Sequence, residues 1–374
     1  MRSTLALTHW TCPAAAARGA QPGRVKRPGN PCGSFFRRWC GLLAGLGLLA
    51  GIPVGEASAQ TNTGTAFGQF MLIEPSARVT GMGNAGVSLY EGIQGAYYNP
   101  AALGPLEGAA IQLSHGFWYA GIKYDYVAIA TPLRGLGTVF LSLTSLNSGE
   151  IDVRTVDQPL GTGERFSVKD LGVGLGYGRQ ITNRFAAGVQ LNFLSESIWR
   201  ATASAFGFNM GTVYRLSEDG LRIGASLSNF GARATFSGDA LAVQWDRDHD
   251  TNGANGTLPA YQFTDNFPLP VLFRVGLGYP VKLGAGSELL LAVDAFHPRD
   301  NTESMSAGAE WSWRDTIALR AGYQRMFQQD NELGPTLGVG VRAGSGHPWF
   351  HVDYAWAAHD QLQDTHRVTM SLTF

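Results

Sequence analysis

Along residues 367–374 the chain reads Arg-Val-Thr-Met-Ser-Leu-Thr-Phe, with Val368, Met370, Leu372 and Phe374 on one parity and Arg367, Thr369, Ser371 and Thr373 on the other. Strand side chains point to opposite faces with a period of two, so this segment forms a strand with one greasy face and one wet face. The same pattern recurs upstream. After Leu106 fourteen such segments can be counted, starting at about residues 109, 122, 135, 166, 184, 201, 220, 271, 286, 303, 316, 334, 347 and 365. Each is long enough for a tilted membrane strand of about 9–11 residues.

The connections alternate in length. Pro132–Gly135, Gln180–Asn183, Ser217–Gly220, Trp313–Thr316 and Gly344–His347 are tight and rich in turn formers, whereas the loops near 147–165, 233–270, 328–333 and 358–364 are longer. Short turns on one side and long loops on the other are the mark of an outer-membrane barrel, with the short turns periplasmic. The short connections near 119–122 and 199–201 fit that alternation least well. The expected fold is a fourteen-stranded antiparallel transmembrane β-barrel, residues 107–374.

The N-terminus is expected to be a secretory address over residues 1–59. Arg37 and Arg38 form a basic end, Gly41–Ile52 is a short apolar core, and Ala57-Ser58-Ala59 is a small-x-small cleavage site. The core is too short for a spanning helix, which needs about 20 residues. All three cysteines (Cys12, Cys32, Cys40) precede the cleavage site, so a mature chain has no thiol for a disulfide, a metal or nucleophilic catalysis. Its 21 Lys+Arg stand against 28 Asp+Glu, which argues against nucleic acid as a partner. A mean hydropathy of -0.04 suits a barrel whose alternate residues face water.

Charged side chains on strands should point inward, because Arg or Lys facing lipid at the midplane costs about 2–4 kcal/mol. Arg222, Arg274, Arg320, Arg342 and Arg367 are therefore expected to form a lumen ladder near Glu310, Asp294 and Asp353. Trp118, Tyr119, Trp311, Trp313, Tyr354 and Trp356 fall near strand ends, where aromatic anchors sit. The alternating Gly172, Gly174, Gly176 and Gly178 either make room in the lumen or mark a kinked strand for lateral opening.

Residues 60–106 do not alternate and are expected to form an N-terminal hatch inside the lumen, since a fourteen-strand barrel is wide enough to leave a void. Pro100 fixes its own φ and keeps Asn99 out of the helical region, and Ala101 and Ala102 are small enough to pack on the wall. The step is a hinge, a latch or a rigid turn.

Two short motifs carry chemistry on paper. Gly81-Met-Gly-Asn-Ala-Gly86 matches a dinucleotide fingerprint but lacks the βαβ setting it needs, so close glycine packing is the better account. Asp248, Asp250 and Asn252 match the first half of a calcium loop whose twelfth position is Pro259, giving a weak Ca2+ candidate; no other cofactor is expected. No nucleophile elbow or accompanied His cluster is found, and an enzyme is not expected.

Pro75-Ser-Ala-Arg78, Gly81-Met-Gly-Asn-Ala-Gly86 and Ala96-Tyr-Tyr-Asn-Pro-Ala-Ala-Leu103 together resemble the opening of the PorV/PorQ family, which is related to the FadL long-chain fatty-acid transporters. The match covers residues 70–104. The resemblance implies outer-membrane residence and a hatch whose gating residues would be Gly81, Gly83, Asn99, Pro100 and Ala101. It implies either a role in type IX secretion, with exported protein cargo and secretion-machinery partners, or FadL-like movement of hydrophobic small molecules through the barrel wall.

Overall fold

The computed structural model describes residues 64–374, apart from 91, 218, 246–257, 329–330 and 345–347. Fourteen antiparallel strands close into one barrel. They are β1 (Ala110–Phe117), β2 (Lys123–Leu133), β3 (Gly137–Asn147), β4 (Val168–Thr182), β5 (Phe185–Ile198), β6 (Ala201–Arg215), β7 (Arg222–Gly231), β8 (Leu272–Gly284), β9 (Ser287–Pro298), β10 (Ser304–Trp313), β11 (Ile317–Met326), β12 (Leu333–Ala343), β13 (Trp349–His359) and β14 (Thr365–Thr373). Every strand begins within two residues of its expected start. Each pairs with its neighbours in sequence, and β1 closes on β14 from Ala110↔Thr373 to Phe117↔His366. Closure leaves no unpaired strand edge, which is the condition for a sheet to stand in hydrocarbon.

The two faces separate as the alternation requires. On β4, Leu171, Val173 and Leu175 face outward, with Leu175 57% exposed, while Asp170 on the other parity is buried inside. On β8, Phe273, Val275 and Leu277 face outward and Arg274 is buried. The outward band is apolar and belongs in lipid; the lumen face mixes Gly, Ser, Thr, Asn and charge with buried Tyr124, Tyr126, Phe140, Leu272, Leu290 and Phe296 that pack inward.

Two long connections carry hairpins of their own, Ile151–Asp152 with Arg165–Phe166, and Ala242–Trp245 with Leu258–Tyr261. The connections after β1 and β5 are short, a turn at Tyr119–Gly121 and the pair Trp199-Arg200. β4 is not kinked at its glycines. Its register with β3 and β5 runs unbroken through Gly172, Gly174, Gly176 and Gly178 and shifts only between Gln180 and Thr182. A missing side chain weakens packing on one face but leaves every ladder hydrogen bond in place, so glycine alone does not bend a strand that is paired on both sides.

Candidate functional site: the hatch and the lumen it fills

Inside the barrel, residues 67–104 fold as short turns. A 3-10 turn spans Gln69–Leu72, one helical turn spans Ala77–Thr80, and further 3-10 turns span Ile93–Gly95 and Pro100–Leu103. The sequence sets the two best defined. Ser76 caps the helical turn by accepting from Val79 N–H. Asn99 is extended and caps the last turn, its Oδ1 accepting from Ala101 N–H at 3.0 Å, with Pro100 in the first position, where a missing N–H costs nothing. Ala77, Val79, Met82, Ala85, Ala96, Tyr98 and Ala101 are fully buried.

A band of glycines on the lumen face lets the hatch backbone lie against the wall. Gly178 pairs with Gly188, Gly188 with Gly211, Gly224 with Gly276, and Gly308 with Gly322. A Cβ at Gly188 would come 2.4 Å from Pro100 C, at Gly224 2.2 Å from Val87 O, at Gly308 2.1 Å from Met82 O and at Gly322 2.2 Å from Gly83 N. The hatch answers with its own glycines. Gly81 sits on Gly338, and Gly83, at φ +67, lies against Ala307 O and Tyr323 O. Gly172 admits Met71 and Phe70, and Gly178 admits Pro100 and Leu103. These glycines are room for the hatch.

Asn99 ties the hatch to itself and to the wall. Its Nδ2 donates to Val87 O at 2.8 Å within the hatch and to Thr212 O on β6 at 3.0 Å. Asn99, Pro100 and Ala101 therefore form a braced turn on β4, β5 and β6. Gly81 and Gly83 meet β10, β11 and β12 on another part of the wall, so the five expected gating residues belong to two separate contacts.

All five expected arginines lie on the lumen parity, but they are not one ladder. Arg320 joins Glu310 (2.5 Å) and Asp353 (2.8 Å). Arg78 of the hatch reaches Glu310 at 2.6 Å, and Gln94 Nε2 donates to Asp353 Oδ2 at 2.9 Å, so this wall network holds the hatch at two points. Arg274 pairs at 3.2 Å with Glu74 of the hatch and lies over the rings of Tyr98 and Phe296. Arg367 Nη1 donates to Thr80 Oγ1 at 2.6 Å. Arg342 stacks on Trp349, and Arg222 lines a cavity of about 70 Å³ with Arg78, Tyr90, Glu288 and Glu310. Asp294 accepts from the hatch Val87 N–H at 2.9 Å. The partners Arg78, Glu74 and Gln94 could not be assigned from sequence, since nothing local pairs a hatch residue with a wall residue some 200 positions away.

Of the aromatic anchors, Trp311, Trp313 and Tyr354 face outward. Trp118 does not; it roofs Arg367, 5.0 Å from ring centre to guanidinium, and packs on His359. The short β1–β2 turn folds it over the mouth. Asp248, Asp250 and Asn252 lie outside the described residues.

An apolar cluster lies on the long-loop side of the lumen. Phe67, Phe70 and Met71 of the hatch, Leu194, Ala203 and Ala205 of the wall, and Ala234 and Leu269 of the β7–β8 connection form one buried cluster, with Phe236 and Phe267 against it. That connection folds back into the mouth, with Phe67 N–H donating to Pro268 O at 2.8 Å and Ala234 bridging Phe267.

No protein-family model and no curated sequence matches the chain. Solved structures do. A TodX deltaS2S3 mutant monoaromatic hydrocarbon channel is similar at TM-score 0.54 and 14% identity, over 80% of this chain and 98% of that one. The Pseudomonas putida toluene transporter TodX is similar at 0.52 and 14% over 80% and 98%, and the Ralstonia pickettii toluene transporter TbuX at 0.52 and 13% over 79% and 97%. At these identities the likeness shows the fold, a closed fourteen-strand antiparallel barrel that matches those chains over nearly their whole length.

Proposed function

We propose that the protein is a bacterial outer-membrane conduit for hydrophobic small molecules, closed at rest by its N-terminal hatch. The observation that carries this reading is the apolar cluster of Phe67, Phe70, Met71, Leu194 and Leu269 on the long-loop side of the lumen, with the half-buried Phe236 and Phe267 against it. A greasy solute is drawn from water by apolar surface at about 25 cal/mol per Å². The shared fold with the TodX and TbuX transporters supports the same reading.

The type IX secretion reading rests on the residue match at 70–104. Those residues are used up in seating the hatch: Ala77 and Met82 are fully buried, and Asn99 is bonded to the wall. They account for a hatch without requiring a cargo surface. Uptake of radiolabelled toluene, compared between wild-type and gene-deleted cells, tests the proposal. Loss of uptake with normal surface export supports it; unchanged uptake with lost export of surface proteins overturns it in favour of secretion.

A further inference from the structure

Leu146, Asp170, Glu196 and Ala203 are successive register partners on the lumen face of β3, β4, β5 and β6. In-register neighbours on one face stand with Cβ atoms about 4.5–5.5 Å apart, so this row sets two carboxylates side by side between apolar side chains. Glu196 Oε2 accepts from Gly68 N–H at 3.1 Å. Asp170 is only 8% exposed, and its Oδ1 has no hydrogen-bond partner. One rung below, the space left by Gly172 is taken by Met71 Sδ, Leu194 and Phe70. Among the described residues no lysine or arginine forms an ion pair with either carboxylate. Lys169, next in the chain, is on the outward parity.

Three other lumen acids are paired with arginine, Glu310 and Asp353 with Arg320 and Glu74 with Arg274, while Asp300 accepts from the Gln69 amide and Asp294 from the Val87 N–H. Asp170 and Glu196 differ from these in standing side by side in register. Two adjacent desolvated carboxylates oppose each other's ionisation, and a positive charge between them relieves both. An inorganic cation would answer the charge but leave the apolar wall unused. An ammonium carried on a hydrophobic body uses both, with its head at Asp170 and Glu196 and its body on the half-buried edge of the apolar cluster, Leu146, Phe236 and Phe267. We propose that this pair is a binding site for the cationic head of a hydrophobic amine, and that the mouth disfavours hydrophobic carboxylates. The substrate class named here rests on the conduit reading; occupancy of the site does not require transport.

The test is equilibrium binding, by calorimetry, to the purified full chain in a nonionic detergent, with three probes of one shape: 4-phenylbutylamine, 4-phenylbutanol and 4-phenylbutyrate. The amine is expected to bind at least about tenfold tighter than the alcohol, and the carboxylate weakest. Asp170→Asn with Glu196→Gln keeps the shape and should bring the three together; Glu196→Gln alone should give part of that change. Folding of each variant is checked by its heat-modifiable gel mobility. An amine that binds no tighter than the alcohol, or an order unchanged in the double variant, overturns the proposal. Calcium binding at the pair with no preference for the amine overturns it as well, in favour of an inorganic cation site. Toluene uptake by the double variant separates the two readings, since its persistence upholds the conduit whatever the probes show.

Discussion

A β-carbon at Gly211 would stand 2.0 Å from Asn99 Oδ1, so the wall of β6 has no side chain where the hatch amide enters it. Once in, the amide is spent on fixed acceptors, with Nδ2 on Val87 O and Thr212 O and Oδ1 on Ala101 N–H. Asn99→Asp keeps the shape but turns a donor into a second oxygen facing two carbonyls. The loss is of order 1–3 kcal/mol or more, the cost of leaving buried polar groups unsatisfied. The hatch should loosen while the barrel stays closed. Planar-bilayer recordings should show ion conductance above wild type with unchanged heat-modifiable mobility; a silent, protease-resistant Asn99→Asp hatch would remove Asn99 as a latch.

The glycine band makes a similar forecast at a different wall. Gly322→Ala puts a methyl group 2.2 Å from Gly83 N, and the atoms it meets are hatch backbone that cannot swing aside. Overpacking of this kind costs about 1–3 kcal/mol. Cleavage within residues 67–104 under limited proteolysis should be faster than in wild type. Gly116→Ala is the control, because its nearest neighbour is the Tyr124 side chain at 3.5 Å, an ordinary contact.

The barrel was legible in the sequence and the hatch seat was not, for one physical reason. Alternation is a local property of a strand between lipid and lumen, so the fourteen segments, their starts and the inward parity of Arg222, Arg274, Arg320, Arg342 and Arg367 could be read from neighbours two positions apart. What each arginine meets depends on register across several strands and on where the hatch lies. Arg274 therefore finds Glu74 in the hatch rather than a wall acid, and Asp294 holds a hatch N–H. The same limit hid the alignment of Gly178, Gly188 and Gly211, which are scattered in sequence and brought together only by strand pairing. It also hid the inward turn of Trp118, whose position at a strand end is shared by true interface anchors.

Arg320 and Arg342 lie on the same face but should differ sharply in weight. Arg320→Met leaves Asp353 buried without its cation and Glu310 with Arg78 alone, and stranding a buried charge in this way costs about 3–5 kcal/mol. Arg342→Met loses a contact with the Trp349 ring near the turn side, worth about 0.5–1 kcal/mol where exposed. Thermal unfolding in detergent should show a large drop in midpoint for the first and a small one for the second. Equal drops would mean that the Glu310–Arg320–Asp353 network does not tie the wall.

The lipid boundary can be tested on a single strand. Leu175 faces outward in the middle of β4, between the inward glycines 174 and 176. Leu175→Arg should cost about 2–4 kcal/mol if that face meets hydrocarbon, the range for a cation at the midplane. The same change at Leu136, in the exposed β2–β3 turn, should be close to neutral. Refolding yields into lipid vesicles, followed by the fraction of heat-modifiable protein, should separate the two variants. If both refold equally well, the outward band at Leu175 is not immersed, and the charge asymmetry between lumen and outer face must have another cause than lipid.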